Sequence, residues 1–146
     1  MNGISLTELK ALASACRKVI RSASAEDRGH AMSRFPHGSC GVACQLLGSL
    51  LFDAYGVRSD HVSAFGHPGL GFMQSHAWLT ANGLVIDITH DQFANTGLDG
   101  WVFAGSPWHD AFQVRHRARF GVDNRHHAYG SRIYRLLRDE IVRNCQ

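Results

Sequence analysis

The dipeptide Asn82-Gly83 constrains this chain more than any other feature. Apolar segments flank it, Phe72 to Leu79 on one side and Leu84 to Ile88 on the other. Asn-Gly accepts positive φ at both central positions of a two-residue turn, whose twist suits a pair of antiparallel strands. A hairpin is therefore predicted, and so tight a turn fixes its register. Ala81 pairs with Leu84, which sets Trp78 opposite Asp87 and His76 opposite Thr89. The two-residue period of a strand then puts His76, Trp78, Asp87 and Thr89 on one face. His76 and Asp87 become diagonal neighbours, roughly 7–8 Å apart at the backbone and within side-chain reach.

Asp87 lies between Ile86 and Ile88, where an unpaired charge would cost several kcal/mol. It needs a partner, and His76 is the nearest candidate on its face. A carboxylate bonded to one imidazole nitrogen leaves the other free to act on a thiol.

The rest of the chain supplies helices. Ser5-Leu6-Thr7-Glu8 is a capping box, with Ile4 and Leu9 placed as the hydrophobic staple. Leu6, Leu9, Leu12, Cys16 and Val19 recur at helical spacing, predicting a helix from about Leu6 to Arg21. Residues 22–39 are polar, contain Pro36 and Gly38, and read as loop. A buried helix is expected from Cys40, with Ser39 as N-cap, Cys44, Leu47, Leu50, Leu51 and Ala54 as its apolar stripe, and Gly56 just past its end. Residues 61–66 and 101–104 are weaker strand candidates. A last helix is expected from about Ser131 to Asn144 around Ile133, Leu136, Leu137 and Ile141. Helices, then strands, then a helix describe an α+β fold, with helices packed on a small antiparallel sheet. The 146 residues carry no repeat and no long linker, so they read as one domain, residues 1–146.

Cys40 falls in the first turn of its helix. Unpaired N–H groups and the positive end of the helix dipole favour a thiolate there, and the same N–H groups can receive a developing oxyanion. Gly38, Ser39 and Gly41 leave room for a substrate carbonyl. A single cysteine at a helix start, or a single histidine on a strand, is ordinarily just a packed residue. Cys40, His76 and Asp87 together, in one sensible geometry, are what raise the catalytic reading.

Three segments, Gly38-Ser39-Cys40-Gly41, Ser75-His76-Ala77-Trp78 and Leu84-Val85-Ile86-Asp87, resemble the papain-like thiol enzymes in their circularly permuted, transglutaminase-like form. There a helix-start cysteine is followed by a histidine and an aspartate on adjacent strands. The likeness spans about residues 34–93. In size and order the chain also looks similar to small transglutaminase-like peptidases that process bacterial peptide precursors. The resemblance implies a papain/transglutaminase-like fold and a cysteine hydrolase or thiol protease. Cys40 would be its nucleophile, His76 its general base and Asp87 the orienter of that base. Papain-like enzymes place a side-chain oxyanion donor before the cysteine. Here the upstream polar residues are Arg34 and His37, so Gln74 and Gln92 are the candidates for its place. Trp78 and Gln92 are the expected substrate-binding residues.

Other function classes receive less support. No apolar run approaches a membrane span. Four cysteines without a C-x-x-C argue against a disulfide scaffold or a zinc ribbon. A Cys40/Cys44/His site lacks a clear fourth ligand, so no metal and no other cofactor is expected. The first ten residues lack a basic stretch followed by an apolar one, which makes the cytoplasm the default location; export by a dedicated machine would leave no mark of this kind.

Charge is unevenly spread. The net charge is +3, yet eight arginines and three acids follow residue 113, against seven basic and nine acidic residues before it. A solvated helix face explains this most simply. The alternative is a contact surface for an acidic protein partner at the Arg-rich final helix. No nucleic-acid motif is present, so nucleic acid is not an expected partner. Two hypotheses follow. One is a cysteine-dependent acyl-transfer enzyme acting on an amide or isopeptide bond of a peptide or protein. The other is a non-catalytic binding or regulatory module of the same fold, working through its basic C-terminal surface.

Overall fold

The structure is a computed structural model describing residues 3–71, 73–120 and 131–144. The first helix, α1 (Leu6–Ser22), opens on the expected capping box. The Ser5 hydroxyl accepts from the Glu8 N–H, and the Glu8 carboxylate accepts from the Ser5 N–H. Its buried stripe is Leu9, Leu12, Ala13, Cys16, Arg17 and Ile20. Leu6 is 45% exposed and lies off that stripe. The expected loop at residues 22–39 contains two short turns of helix, α2 (Ala25–Arg28) and a 3-10 turn (His30–Met32). Helix α3 (Cys40–Tyr55) starts and stops where predicted, ending on Gly56 at φ 64°.

Five strands form one antiparallel sheet: β1 (Asp60–Phe65), β2 (Ser75–Ala81), β3 (Leu84–Ile86), β4 (Val102–Phe103) and β5 (Val114–Arg119). Their order is β4-β3-β2-β1-β5. Asn82 (φ 53°) and Gly83 (φ 76°) make the hairpin turn, and β2 pairs with β3 in the predicted register, Leu79 with Ile86 through Ala81 with Leu84. Both strands of the hairpin are shorter than expected at the end away from the turn. β2 begins at Ser75 and β3 stops at Ile86, beyond which the Asp87 N–H donates to the Trp101 carbonyl at 2.9 Å. Strand β5, between a one-turn helix α4 (Pro107–Asp110) and the final helix α5 (Arg132–Asn144), was not anticipated. His126, His127 and Cys145 lie outside the described residues.

The sheet separates two apolar clusters. The larger joins α1, α3 and α5 to Ala77, Leu79, Ala81 and Ile86 on one face of the hairpin. The smaller contains Val62, Ala64, Trp78 and Phe112, with Val85 and Trp108 packed against it on the other face. His76 and Asp87 belong by alternation to this second face. No helix among the described residues is long and apolar enough to cross a membrane.

Candidate active site

The hairpin brings His76 and Asp87 together as its register requires. His76 Nε2 lies 2.6 Å from Asp87 Oδ2, and both residues are only 2% exposed. A buried carboxylate needs donors for both oxygens. Oδ1 accepts from the Thr89 N–H at 2.9 Å and from the Thr89 hydroxyl at 3.4 Å. Oδ2 receives a second imidazole, His109 Nε2, at 2.7 Å. The other nitrogen of that ring, Nδ1, stands 2.5 Å from the Ser106 hydroxyl.

His109 was not among the expected site residues. It sits on α4, and its meeting with Asp87 depends on how the chain returns to the hairpin. One local sign was available: Ser106-Pro107 is a helix-start signature, and Ser106 does cap α4 by accepting from the His109 N–H.

Cys40 approaches from the other side of the sheet. Its helix packs in the larger cluster, with Ala77 and Leu79, whereas His76 points into the smaller one. A helix start that served His76 from its own face would have to dock in the smaller cluster. Instead β3 pairs only with Leu79, Thr80 and Ala81, which leaves the Ser75–Trp78 stretch of β2 without a strand on that side. Cys40 packs against the larger cluster at this uncovered edge, near enough to the His76 side chain and the Ala77 backbone for both to favour its ionised form. With Nε2 bonded to Asp87, the remaining ring nitrogen is Nδ1, which the Gln92 amide also approaches.

The electrostatics follow from these contacts. Burial pushes the Cys40 thiol up, but the hydrogen bond and charge of His76, with the Ala77 backbone, bring it below its ordinary value. Burial pulls the His76 imidazole down; the charge and hydrogen bond of Asp87, reinforced by Cys40, raise it to about 9. Burial raises Asp87, and the His76 charge and the His109 hydrogen bond outweigh it, holding the carboxyl well below the usual carboxylate range. Cys16 has no such partner, and burial pushes it to about 12. Burial, with the charges of Asp87 and Cys40, likewise raises Cys44 well above the ordinary thiol.

The start of α3 remains open to an anion. Ser39 occupies the N-cap position, but its hydroxyl donates back to the His37 carbonyl at 3.2 Å and does not cap the helix. The first-turn N–H groups are therefore not taken up by the serine. A Cβ added to Gly41 would meet nothing within 4 Å, so the space beside Cys40 is free.

The expected substrate residues take different places. Gln92, on a 3-10 turn (His90–Gln92), puts Nε2 3.3 Å from His76 Nδ1, the ring nitrogen that Asp87 does not bond. Trp78 is 3% exposed, 4.6 Å from the His109 ring and 5.3 Å from Phe112 between centroids. It forms the floor under the two histidines. Phe93 and Trp108 meet the His76 ring edge-on at 5.1 and 5.8 Å. The segment from His90 to Phe93 thus divides its work: Gln92 and Phe93 face His76, His90 bonds the Gly100 carbonyl, and Asp91 pairs with Arg17.

Arg17 is the other residue the sequence did not mark. It is buried within the apolar stripe of α1, bidentate to Asp91 at 2.8 and 2.7 Å, and bonded to the Ile88 carbonyl at 2.6 Å. Its guanidinium lies over the rings of Phe35 and Trp101. The segment that follows Asp87 is pinned to α1 in this way.

His76, Asp87 and His109 also gather their ligand atoms within 4.8 Å, as a metal site would. Two ligands around a tetrahedral ion, at roughly 2.0–2.2 Å from it, would stand about 3.3 Å apart. Separations of 2.6 and 2.7 Å are those of N–H···O bonds, and the cluster reads as a hydrogen-bonded one. On α5, Arg132 pairs with Glu26 and Arg143 with Glu140, while Arg135 and Arg138 are exposed.

Comparison with protein-family models, with curated proteins and with solved structures finds no match to this chain.

Proposed function

We propose that the protein is a cysteine-dependent acyl-transfer enzyme acting on an amide or isopeptide bond of a peptide or protein. The observation that carries this reading is a buried His76–Asp87 pair, 2.6 Å apart, beside a helix that starts at Cys40 and packs on the histidine's strand; the direction of the Cys40 shift agrees with it. The order helix-cysteine, strand-histidine, strand-end-aspartate agrees with a papain/transglutaminase-like fold, to which we assign the chain as part of the same proposal.

In the reaction, the Cys40 thiolate attacks the carbonyl carbon. A C–S bond forms and the carbonyl electron pair moves to oxygen, where the open N–H groups of α3 receive it. The His76 imidazolium gives its Nδ1 proton to the departing amine as the C–N bond breaks, leaving a thioester on Cys40. Neutral His76 then takes a proton from water or from an acceptor amine, which attacks the thioester and releases the thiol. Water gives hydrolysis or deamidation, and an amine gives transamidation. Asp87 keeps the ring oriented and its charged form stable throughout.

Iodoacetamide labelling followed by peptide mass spectrometry tests the premise. Cys40 is expected to label fastest at neutral pH, and Cys16 and Cys44 slowly. His76→Ala should move the pH midpoint of Cys40 labelling up toward that of a free thiol. Labelling of Cys16 or Cys145 as fast as Cys40, or a midpoint indifferent to His76, would sink the reading.

A further inference from the structure

We infer that His109 is a positioning residue of this site: as a neutral Nε2–H donor, oriented by the Ser106 hydroxyl, it fixes the Asp87 carboxylate that in turn holds His76. The inference rests on the acyl-transfer reading. It adds a fourth and a fifth member, His109 and Ser106, to a relay that ends on the Cys40 thiol.

The proton inventory leads there. Ser106 Oγ accepts from the backbone N–H of His109 at 3.3 Å, so its own proton needs an acceptor. His109 Nδ1, at 2.5 Å, is that acceptor. With a lone pair at Nδ1, the proton of the ring sits on Nε2 and points at Asp87 Oδ2, 2.7 Å away. Ser106 and His109 are 3% and 1% exposed, so water does not offer either of them an alternative partner. The serine thus does two things at once: it caps α4 and selects one tautomer of the residue three positions on.

The effect on the site is geometric. Asp87 Oδ2 accepts two N–H donors, from His76 and His109, and Oδ1 is occupied by Thr89. Four donors from β2, α4 and the turn after β3 leave the carboxylate one orientation. Without His109, one lone pair of a buried oxygen would be left bare, and the carboxylate would turn to share the remaining donors. His76 would lose its fixed aim at sulfur. The titratable groups facing this cluster are Cys40 and Cys44 from α3, His76 from β2, Asp87 itself and His109 from α4. The remaining neighbours are the Trp78, Phe93, Phe103, Trp108 and Phe112 rings and the Gln92 amide.

The test measures the pH profile of Cys40 alkylation in wild type, His109→Leu, His109→Gln and Ser106→Ala, with folding monitored by circular dichroism. Leucine keeps the volume and removes the donor. Glutamine can place an N–H near the original Nε2 position. The expected result is a fall of tenfold or more at neutral pH for His109→Leu, with the midpoint displaced upward, and recovery of most of the rate in His109→Gln. Ser106→Ala, which leaves the ring in place, should fall several-fold in the same direction and keeps the inference testable if the leucine variant does not fold. Nitrogen NMR of the wild type should show His109 protonated at Nε2 alone. A wild-type alkylation profile in folded His109→Leu or Ser106→Ala, or His109 protonated at Nδ1, would overturn the role. An unreactive Cys40 in the wild type is a different result, because it removes the acyl-transfer reading itself.

Discussion

Asp87 accepts four hydrogen bonds in a site that water does not reach, and no neutral side chain of its shape can do the same. An amide carries one oxygen and one NH2. With its oxygen toward the two imidazoles, Asp87→Asn sets the NH2 against the backbone N–H of Thr89, which cannot reverse its polarity. With the amide flipped, His76 must present a bare Nε2 and move its proton to Nδ1, so that neutral His76 has no lone pair for the Cys40 thiol. Both arrangements damage the site, the first through stability and the second through chemistry. Asp87→Asn is therefore expected to lower stability by roughly 2–4 kcal/mol in urea unfolding and to slow Cys40 alkylation at neutral pH by about a hundredfold, close to two pKa units of lost thiolate. A variant as stable and as reactive as wild type would show that the four contacts do not matter. His76 and Asp87 were legible from sequence because a two-residue turn sets their register and because a carboxylate between two isoleucines demands a partner. His109 was not, since nothing local links α4 to the hairpin.

Among the elements, the helices and strands with a regular apolar period were readable, and those without one were not. Strand β5, Val-Arg-His-Arg-Ala-Arg, is exposed along nearly its whole length and lies at the edge of the sheet, so burial imposes no alternation on it. Its arginines keep an otherwise open edge charged. Two of them, Arg117 and Arg119, bridge to Asp60 on the adjoining strand. Arg17 was hidden for the opposite reason: a charged residue in an apolar stripe looks like a break in the pattern until Asp91, from a distant turn, is placed beside it. Arg17→Met removes the donor to the Ile88 carbonyl and both bonds to Asp91. It should cost roughly 2–3 kcal/mol in thermal unfolding and speed amide exchange across residues 88–93, the stretch that carries Gln92 and Phe93 to His76. Unchanged exchange there would mean that the segment is held by its own 3-10 turn. Helix α3 offers a second test. A Cβ on Gly48 would stand 2.9 Å from the ring of Phe120, with the base of that ring just as close, so the clash cannot be relieved at a flexible tip. Gly48→Ala should lose roughly 1–2 kcal/mol despite the gain of about 1 kcal/mol in helix propensity; a stabilised variant would show that α3 is free to shift away from Phe120.

At the scale of the whole molecule, the sheet carries an apolar helical core on one face and a second, aromatic cluster on the other, and the His76–Asp87 pair is buried on the second face. Stability and the proposed thiol chemistry therefore draw on the same titrations. His76 is raised from 6.5 to about 9, so its imidazolium form adds stability that is complete below its ordinary value and is lost as pH rises through about 9. Asp87 is lowered from 3.8, so its carboxylate adds stability that is present above that value and lost on acidification through its folded value. Between the two ordinary values both contributions are whole. His76→Gln keeps a polar side chain of similar length but cannot carry the charge. The difference in melting temperature between wild type and this variant should be greatest at about pH 5 and narrow steadily toward about pH 9. The aromatic rings around the pair strengthen the effect by excluding water, and added salt should screen it little. A melting difference that is flat across this range, or that widens toward alkaline pH, would mean that the His76–Asp87 contact is one between neutral groups, and the thiolate proposed at Cys40 would lose its counter-charge.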